Sequence, residues 1–298
     1  MPRMMKKYPI ADEVKFNRFL VREYLKYGSV DEVFRKNNFD LPVSYANYQR
    51  ILDRFGVVKA VGPNNKFSEA VDFLAHMVKD NIPFEKLYKK MPPSYRTSVV
   101  TLYRILAYVK EGITRRTGCA LVITPYNDTR RVVIARDIST PNIEFGKYWG
   151  NYTIPMGYAK KGATRLENIK RILQQEVFTQ NVIDGKFPDF YTKDDVSPIM
   201  YIDIADVRVS VYHFQLPKEL SKIVNFSSYK LKDFIFMDAK ELLADSANKY
   251  ALRAGVKEAI GGYLRHLTLL HRNLSINPLQ EKSLLNQELA TAAVPTES

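Results

Sequence analysis

The sequence predicts an α+β protein of several domains, an all-α N-terminal region followed by an α/β/α sandwich. In residues 14–111 the apolar residues recur at spacings of three and four, which is typical of amphipathic helices. From about residue 113 the pattern changes to short β-branched runs bounded by turn residues. A chain of 298 residues has room for such an arrangement. We place the domain boundaries at 1–60, 61–112 and 113–272, with a partly disordered tail at 273–298.

Charge favours a polyanionic partner for the N-terminal region. Residues 1–112 hold 20 Lys and Arg against 12 Asp and Glu, which is +8 of the net charge of +13. The single cysteine, Cys119, excludes an internal disulfide framework and a cysteine-based zinc cluster. Neither a secretory signal nor an apolar run of the ~20 residues that span a bilayer is present. We therefore expect a soluble cytoplasmic protein without a membrane partner.

The helical region repeats itself at an offset of 54 residues. Phe19-Leu20 matches Phe73-Leu74, and Arg50-Ile51-Leu52 matches Arg104-Ile105-Leu106. Each unit is predicted to contain a long helix, a short helix, a turn and a third helix. This plan resembles two tandem helix-turn-helix domains, in which the third helix of each unit enters the major groove of DNA.

The first unit shows which helix residues are expected to be buried and which are expected to be exposed. Its helices are predicted at about 14–27 and 30–37, and Ser44 is a predicted N-cap of the third. Tyr48, Ile51 and Leu52 share an apolar face and should pack inward. Arg and Asn on the outward faces can contact base edges, and basic residues at the short helices can contact phosphates. The expected DNA contacts are Arg35, Lys36, Asn47, Arg50, Arg54, Lys89, Lys90, Arg96, Thr97, Thr101 and Arg104.

The second half alternates between strands and helices. Cys119–Thr124 and Val132–Ala135 flank the turn-forming segment Pro125–Thr129, which predicts a hairpin. Trp149–Pro155 is a further extended stretch that leads into a glycine-containing loop. The remaining predicted elements are a helix at Leu166–Val177, strands at Ile199–Ile204, Val207–Phe214 and Phe234–Met237, and a final helix at Ala251–His266.

The loop and helix at 157–176 have the spacing of the Nudix box, G-x5-E-x7-R-E-U-x-E-E-x-G-U, where U is a bulky aliphatic residue. The residues in register are Gly157, Arg171, Leu173 and Glu176. The residues that stand where carboxylates belong are Ala163, Ile172 and Gln175. The order of strands and helices around the box is also similar to the Nudix α/β/α sandwich. The resemblance implies a fold built for metal-assisted phosphate chemistry that has lost most of its metal ligands.

In the Nudix family, acids on this helix hold Mg²⁺ or Mn²⁺ against a pyrophosphate. Glu176 alone is a weak metal ligand, so we expect no hydrolysis and no cofactor. If the domain were active, Glu176 would be its catalytic carboxylate, with Mg²⁺ or Mn²⁺ held partly by Asp203 or Asp206.

A nucleotide is the candidate ligand of this domain. The expected phosphate contacts are Arg136, Lys160 and Lys161, and the expected stacking residues are Trp149 or Tyr152. Arg171, which supports the loop in the family, completes the ligand-binding candidates.

These features together favour a DNA-binding, transcriptional regulator. Its catalytically inactive Nudix-like domain would serve as a nucleotide sensor or oligomerisation module, and a homodimer is expected. The Nudix family includes regulators that join such a sensor to a winged helix. Two alternatives stay open: an active pyrophosphohydrolase acting on a nucleoside diphosphate derivative, and a protein-binding adaptor that docks its helical repeat onto a partner such as RNA polymerase.

Overall fold

The computed structural model of the protein describes residues 12–59, 114, 116–139, 147–159, 162–188, 196–204, 207–244, 250–272, 274, 277–284 and 286–287. The predicted second helical unit at 61–112 lies outside these residues, as does most of the predicted tail. Within the described part of the chain, no helix is long and apolar enough to cross a membrane.

The N-terminal unit contains three helices, α1 (Glu13–Tyr27), α2 (Val30–Lys36) and α3 (Tyr45–Arg54). A polar side chain caps the N-terminus of each helix by accepting a backbone N–H from the first turn. The three N-caps are Asp12, Ser29 and Ser44. The capping role predicted for Ser44 is thus confirmed. The segment 37–44 between α2 and α3 is longer than the roughly three- or four-residue turn of the helix-turn-helix motif.

One apolar core joins these three helices. Tyr48, Ile51 and Leu52 of α3 are buried against α1, as the three- and four-residue spacing predicts. The Tyr48 hydroxyl donates a hydrogen bond of 2.6 Å to the backbone carbonyl of Leu20 in α1. This bond fixes α3 at the centre of the unit, so its polar face is turned away from the core.

The other described residues build two sheets. The strands of the larger sheet are β1 (Arg116–Thr124), β4 (Met156–Tyr158), β5 (Met200–Ile204), β6 (Val207–Gln215) and β8 (Leu279–Lys282). Their order is β4-β1-β6-β5-β8, in which β1 pairs in parallel with β6 and β5 pairs in parallel with β8. The strands of the smaller, antiparallel sheet are β2 (Arg131–Asp137), β3 (Tyr152–Thr153) and β7 (Leu231–Asp238). Their order is β3-β2-β7.

The hairpin predicted for the segment around Pro125–Thr129 is wrong. The chain does turn there, with Asn127 at φ 54°, but β1 and β2 belong to different sheets and do not pair. β1 is buried on both faces and takes β6 and β4 as its neighbours. An apolar run flanked by a turn therefore predicted each strand without identifying its partner.

Helices cover both faces of the larger sheet. α4 (Arg165–Glu176) packs on the face of β1 that carries Cys119, Leu121 and Ile123. α7 (Val256–His271) packs on the opposite face, with Ala120 and Val122. The short helices α5 (Thr179–Ile183) and α6 (Ala239–Ala244) follow α4 and β7. The α/β/α arrangement implied by the resemblance is confirmed.

Several predicted boundaries change in the structure. The final helix begins at Val256 instead of Ala251, because Gly255 precedes it in a left-handed conformation with φ 86°. The extended stretch at Trp149–Pro155 contains only the two-residue strand β3, and β4 starts immediately afterwards in the other sheet. The chain crosses between the two sheets at this point and enters the loop at Gly157.

The helical unit docks on α4 and α5. The Gln174 side chain of α4 donates to the carbonyl of Gly56 at 2.8 Å and accepts from the N–H of Val58 at 2.9 Å. Val182 and Ile183 of α5 extend the apolar core formed by α1, α2 and α3. α4 therefore contacts the sheet on one side and the helical unit on the other.

Candidate functional site

The one carboxylate retained from the box is used within the protein itself. Glu176 is 6% exposed, and its Oε2 accepts a 2.8 Å hydrogen bond from the backbone N–H of Met156 at the entry to the loop. A Cβ atom on Gly157 would lie 3.2 Å from Ile172 Cδ1 and 3.7 Å from Glu176 Oε1. Gly157 thus allows the loop to pack directly on α4, with an isoleucine where the family has an acid.

Glu176 lies beside a buried lysine. Burial raises the pKa of Glu176, and the positive charge of Lys230 acts against that shift. Burial likewise lowers the pKa of Lys230, and Glu176 opposes the change. Lys230 is half-buried as a residue, but its ammonium end is enclosed and donates a 3.3 Å hydrogen bond to Gln175 Oε1. Lys230 therefore supplies a positive charge near the remaining carboxylate of the box.

A second carboxylate, Asp137 at the end of β2, holds two more cations. Its Oδ2 lies 3.7 Å from Lys147 Nζ and 3.6 Å from Arg253 Nη1, and the three side chains are at most 16% exposed. Its Oδ1 accepts hydrogen bonds from Ser139, whose hydroxyl also accepts from Lys147. Burial lowers the pKa of Lys147 to about 8, and the neighbouring charge of Arg253 acts in the same direction.

Backbone pairing joins these two groups. The N–H of Ile138 donates to the carbonyl of Lys230 at 2.8 Å, which places β7 and its preceding loop next to the end of β2. The charges of Asp137 and Arg253 both act on the pKa of Glu176 and on that of Lys230. We call the set Asp137, Lys147, Arg171, Glu176, Lys230 and Arg253 the buried charge cluster.

Several donors in and next to this cluster have no hydrogen-bond partner in the part of the chain that the structure describes. Arg171 is 3% exposed, yet its Nε and Nη2 find no acceptor among the described residues. The same is true of Arg253 Nε and of Gln175 Nε2. Buried N–H groups are rarely left without a hydrogen bond, because each unsatisfied group costs about 1–3 kcal/mol. In the Nudix family, the arginine at the position of Arg171 pairs with an acid of the loop. In this chain the loop position 163 is an alanine.

These residues do not fit a bound Mg²⁺ or Mn²⁺. Such ions need several oxygen ligands in an octahedral arrangement, whereas α4 offers Ile172, the amide of Gln175 and a Glu176 that is bonded to the loop. No group of three metal-ligating side chains occurs in the described ranges. Asp203, an alternative ligand, is buried in a two-bond pair with Arg208, at 2.9 and 3.1 Å. Asp206 lies outside the residues described.

The structure places the predicted ligand-binding residues in two locations. Arg136 and Tyr152 meet across β2 and β3, where Arg136 Nε donates to the Tyr152 hydroxyl at 3.1 Å and Asp233 lies 3.8 Å away. Trp149 is 64% exposed. Arg171 is instead buried in the charge cluster. Lys160 and Lys161 lie outside the described residues.

Of the predicted DNA contacts, those in the first unit are described. Asn47 and Arg50 of α3 are exposed. Arg54 lies 3.8 Å from Glu13, and Arg35 and Lys36 both lie against Glu32, so these three basic residues have acidic neighbours. The contacts predicted for the second unit fall outside the described residues, namely Lys89, Lys90, Arg96, Thr97, Thr101 and Arg104.

Sequence reasoning missed most of the charge cluster. Asp137, Lys147, Lys230 and Arg253 come from segments far apart in the chain and match no motif. The available signal was weak: Asp137 is the last residue of the largely apolar strand β2, and Lys230 directly precedes β7. The thiol of Cys119 is buried, and burial raises its pKa to about 12.

No protein-family model matches the chain, and no curated protein matches its sequence. Solved structures do resemble it. A Nudix hydrolase from Nitrosomonas europaea is 11% identical over 56% of this chain and 78% of its own, with a TM-score of 0.36. The MutT protein from Methanosarcina mazei Go1 is 12% identical over 52% of this chain and 96% of its own, with a TM-score of 0.36.

NrtR from Shewanella oneidensis is 12% identical over 52% of this chain and 64% of its own, with a TM-score of 0.35. At these identities and scores, none of the three likenesses informs the activity of this chain. The Nudix-like character of the C-terminal region is seen instead in its two sheets, in the helices that cover them and in the loop-helix at 157–176.

Proposed function

We propose that this protein is a DNA-binding, transcriptional regulator whose Nudix-like domain senses a ligand or mediates oligomerisation without hydrolysing a nucleotide. The observation that supports DNA binding is that α3 has a buried apolar face and an exposed polar face. Tyr48, Ile51 and Leu52 are buried against α1, while Asn47 and Arg50 are exposed. Asparagine and arginine are side chains suited to adenine and guanine edges. The net charge of +13 supports attraction to a polyanion.

The state of Glu176 supports the absence of hydrolysis. A catalytic carboxylate must reach a metal or a water molecule, whereas Glu176 is buried and bonded to the Met156 N–H. The positive charge of Lys230 also acts on this carboxylate. A domain with this arrangement keeps the loop and the helix of the fold while its carboxylate has become part of the core.

DNA binding is tested by fluorescence anisotropy of the full chain with a labelled random-sequence duplex, followed by selection of preferred sites from the same pool. We expect affinity to fall steeply with salt, because lysines and arginines displace counterions from the phosphates. Arg50→Ala should weaken binding to selected sites by roughly 1–3 kcal/mol. Lys257→Ala, which removes an equal charge from an exposed position on α7, serves as the control. Equal affinities for the two variants would contradict a recognition role for α3.

Catalysis is tested by measuring phosphate release from a panel of nucleoside diphosphate derivatives with Mn²⁺. We expect no release by the wild-type chain. Release that is abolished in Glu176→Gln would overturn the proposal in favour of an active pyrophosphohydrolase, because this substitution retains shape and removes only the charge.

A protein-binding adaptor is the second candidate, and two exposed aromatic side chains on the helical unit favour it. Phe39 is 72% exposed with φ 57°, and Tyr45 at the start of α3 is 48% exposed. Large exposed aromatic residues are characteristic of protein interfaces. Phe39→Ser should leave DNA affinity unchanged if the unit binds DNA through Arg50. An absence of DNA binding by the wild-type chain at low salt would instead favour the adaptor.

A further inference from the structure

Among the residues that the structure describes, the buried charge cluster contains more positive than negative groups. Four cationic side chains, Lys147, Arg171, Lys230 and Arg253, share the region with two described carboxylates, Asp137 and Glu176. Burying a charge without a partner is costly, so such clusters are normally balanced. The excess of two cations is therefore a feature that the fold must compensate by other means.

The unpartnered donors lie on these cations and on their neighbour Gln175. They are Arg171 Nε and Nη2, Arg253 Nε and Gln175 Nε2, none of which has an acceptor among the described residues. The guanidinium of Arg171 is close to the loop, since its Nη1 would be 3.9 Å from a Cβ on Gly157. Glu176 Oε1 would be 3.7 Å from the same point. The Arg171 guanidinium and the Glu176 carboxylate thus both approach Gly157.

We propose that the buried charge cluster is a metal-independent binding site for a phosphate group, contacted by Arg171, Lys230 and Arg253. A phosphate supplies acceptor oxygens for the unpartnered N–H groups and negative charge for the excess cations. Arginine suits this role because its planar fork of donors matches phosphate geometry. Lys147 adds a further cation, held 3.7 Å from Asp137.

This site reverses the electrostatics that the resemblance implied. A Nudix box presents carboxylates that hold a divalent cation, and the cation then contacts phosphate. Here the isoleucine at 172 and the amide at 175 leave no such ligand set, and fixed side-chain cations are present instead. The site would supply the signal for the sensor role, so its biological meaning rests on that proposed function.

The test is calorimetric titration of the full chain with inorganic phosphate, inorganic pyrophosphate and ADP, each in the presence of EDTA and again with Mg²⁺. We expect saturable binding in EDTA that Mg²⁺ does not strengthen. Tighter binding of ADP than of pyrophosphate would identify a nucleotide as the source of the phosphate group. Equal or weaker binding of ADP would identify free phosphate or pyrophosphate. Binding of all three probes that requires Mg²⁺ would overturn the proposal, as would an absence of binding, which means that buried water satisfies the donors.

Matched lysine variants locate the site. Lys230→Met should weaken binding by about tenfold or more, the equivalent of ~1.4 kcal/mol. Lys232→Met, two residues away on β7 and exposed, should leave it unchanged. If Lys230→Met does not fold, Lys147→Met at the rim of the cluster replaces it and should also weaken binding. Equal binding by Lys147→Met and Lys232→Met would contradict the assignment.

The anisotropy assay separates this site from the DNA-binding role. Phosphate binding without DNA binding would contradict the proposed regulator function and support the phosphate site. DNA binding without phosphate binding would contradict only the phosphate site.

Discussion

The contact between the helical unit and the Nudix-like domain depends strongly on one buried amide. Gln174 is 1% exposed and makes hydrogen bonds of 2.8 Å to the Gly56 carbonyl and 2.9 Å from the Val58 N–H. Gln174→Met keeps the length of the side chain and removes both bonds. Because two backbone groups lose their partners, we expect the free energy of unfolding to fall by about 1–3 kcal/mol.

Urea denaturation followed by circular dichroism measures this change. The control is Gln180→Met on α5, whose exposed amide donates to Asp184 at 3.1 Å. Surface substitutions of this kind usually alter stability by no more than about 0.5 kcal/mol. If Gln174→Met is no more destabilising than Gln180→Met, the two hydrogen bonds do not hold the helical unit against α4, and the interface must rest on apolar contacts alone.

Three further predictions concern the cores and the pH dependence of stability. Gly262→Ala would place a Cβ 2.1 Å from Met200 Sδ, whereas the same change at the adjacent Gly261 meets only an atom at 4.0 Å. Thermal denaturation should therefore show Gly262→Ala to be less stable than Gly261→Ala by about 1–3 kcal/mol, and equal stabilities would refute the packing argument. Tyr48→Phe removes the 2.6 Å hydrogen bond to the Leu20 carbonyl and should cost about 1–2 kcal/mol in urea denaturation, with no cost expected if the bond is absent in solution. Burial lowers the pKa of His213 from 6.5 to about 4, so the unfolded chain takes up a proton in this interval while the folded chain does not. Stability should thus decrease by up to about 3 kcal/mol as pH falls from 6.5 to 4, and His213→Gln should reduce this dependence when unfolding is measured across that range.

Most elements of the fold followed from the local pattern of the sequence. The apolar spacing of Tyr48, Ile51 and Leu52 predicted a helix and its buried face, and Ser44 predicted where that helix begins. β1 was recognisable as a buried strand because its run is apolar on both faces. Such features depend on neighbouring residues, so the sequence displays them directly.

Strand pairing was harder to predict from the sequence. The segment around Pro125–Thr129 predicted a hairpin, but β1 pairs with β6, a strand that follows more than eighty residues later. A turn sequence specifies a local reversal of the chain, whereas partner choice depends on which apolar surfaces can be buried together. The same limitation applies to the crossing between sheets after β3.

The same distinction applies to the candidate site. The spacing from Gly157 to Glu176 by itself identified the loop-helix, and the residues at 163, 172 and 175 showed that carboxylates of the box are replaced. Only the tertiary structure brought Asp137, Lys230 and Arg253 to this helix and left the Arg171 donors without partners. A motif records residues at fixed spacing on one element. The balance of buried charge depends on side chains from several elements, and only folding determines which of them meet.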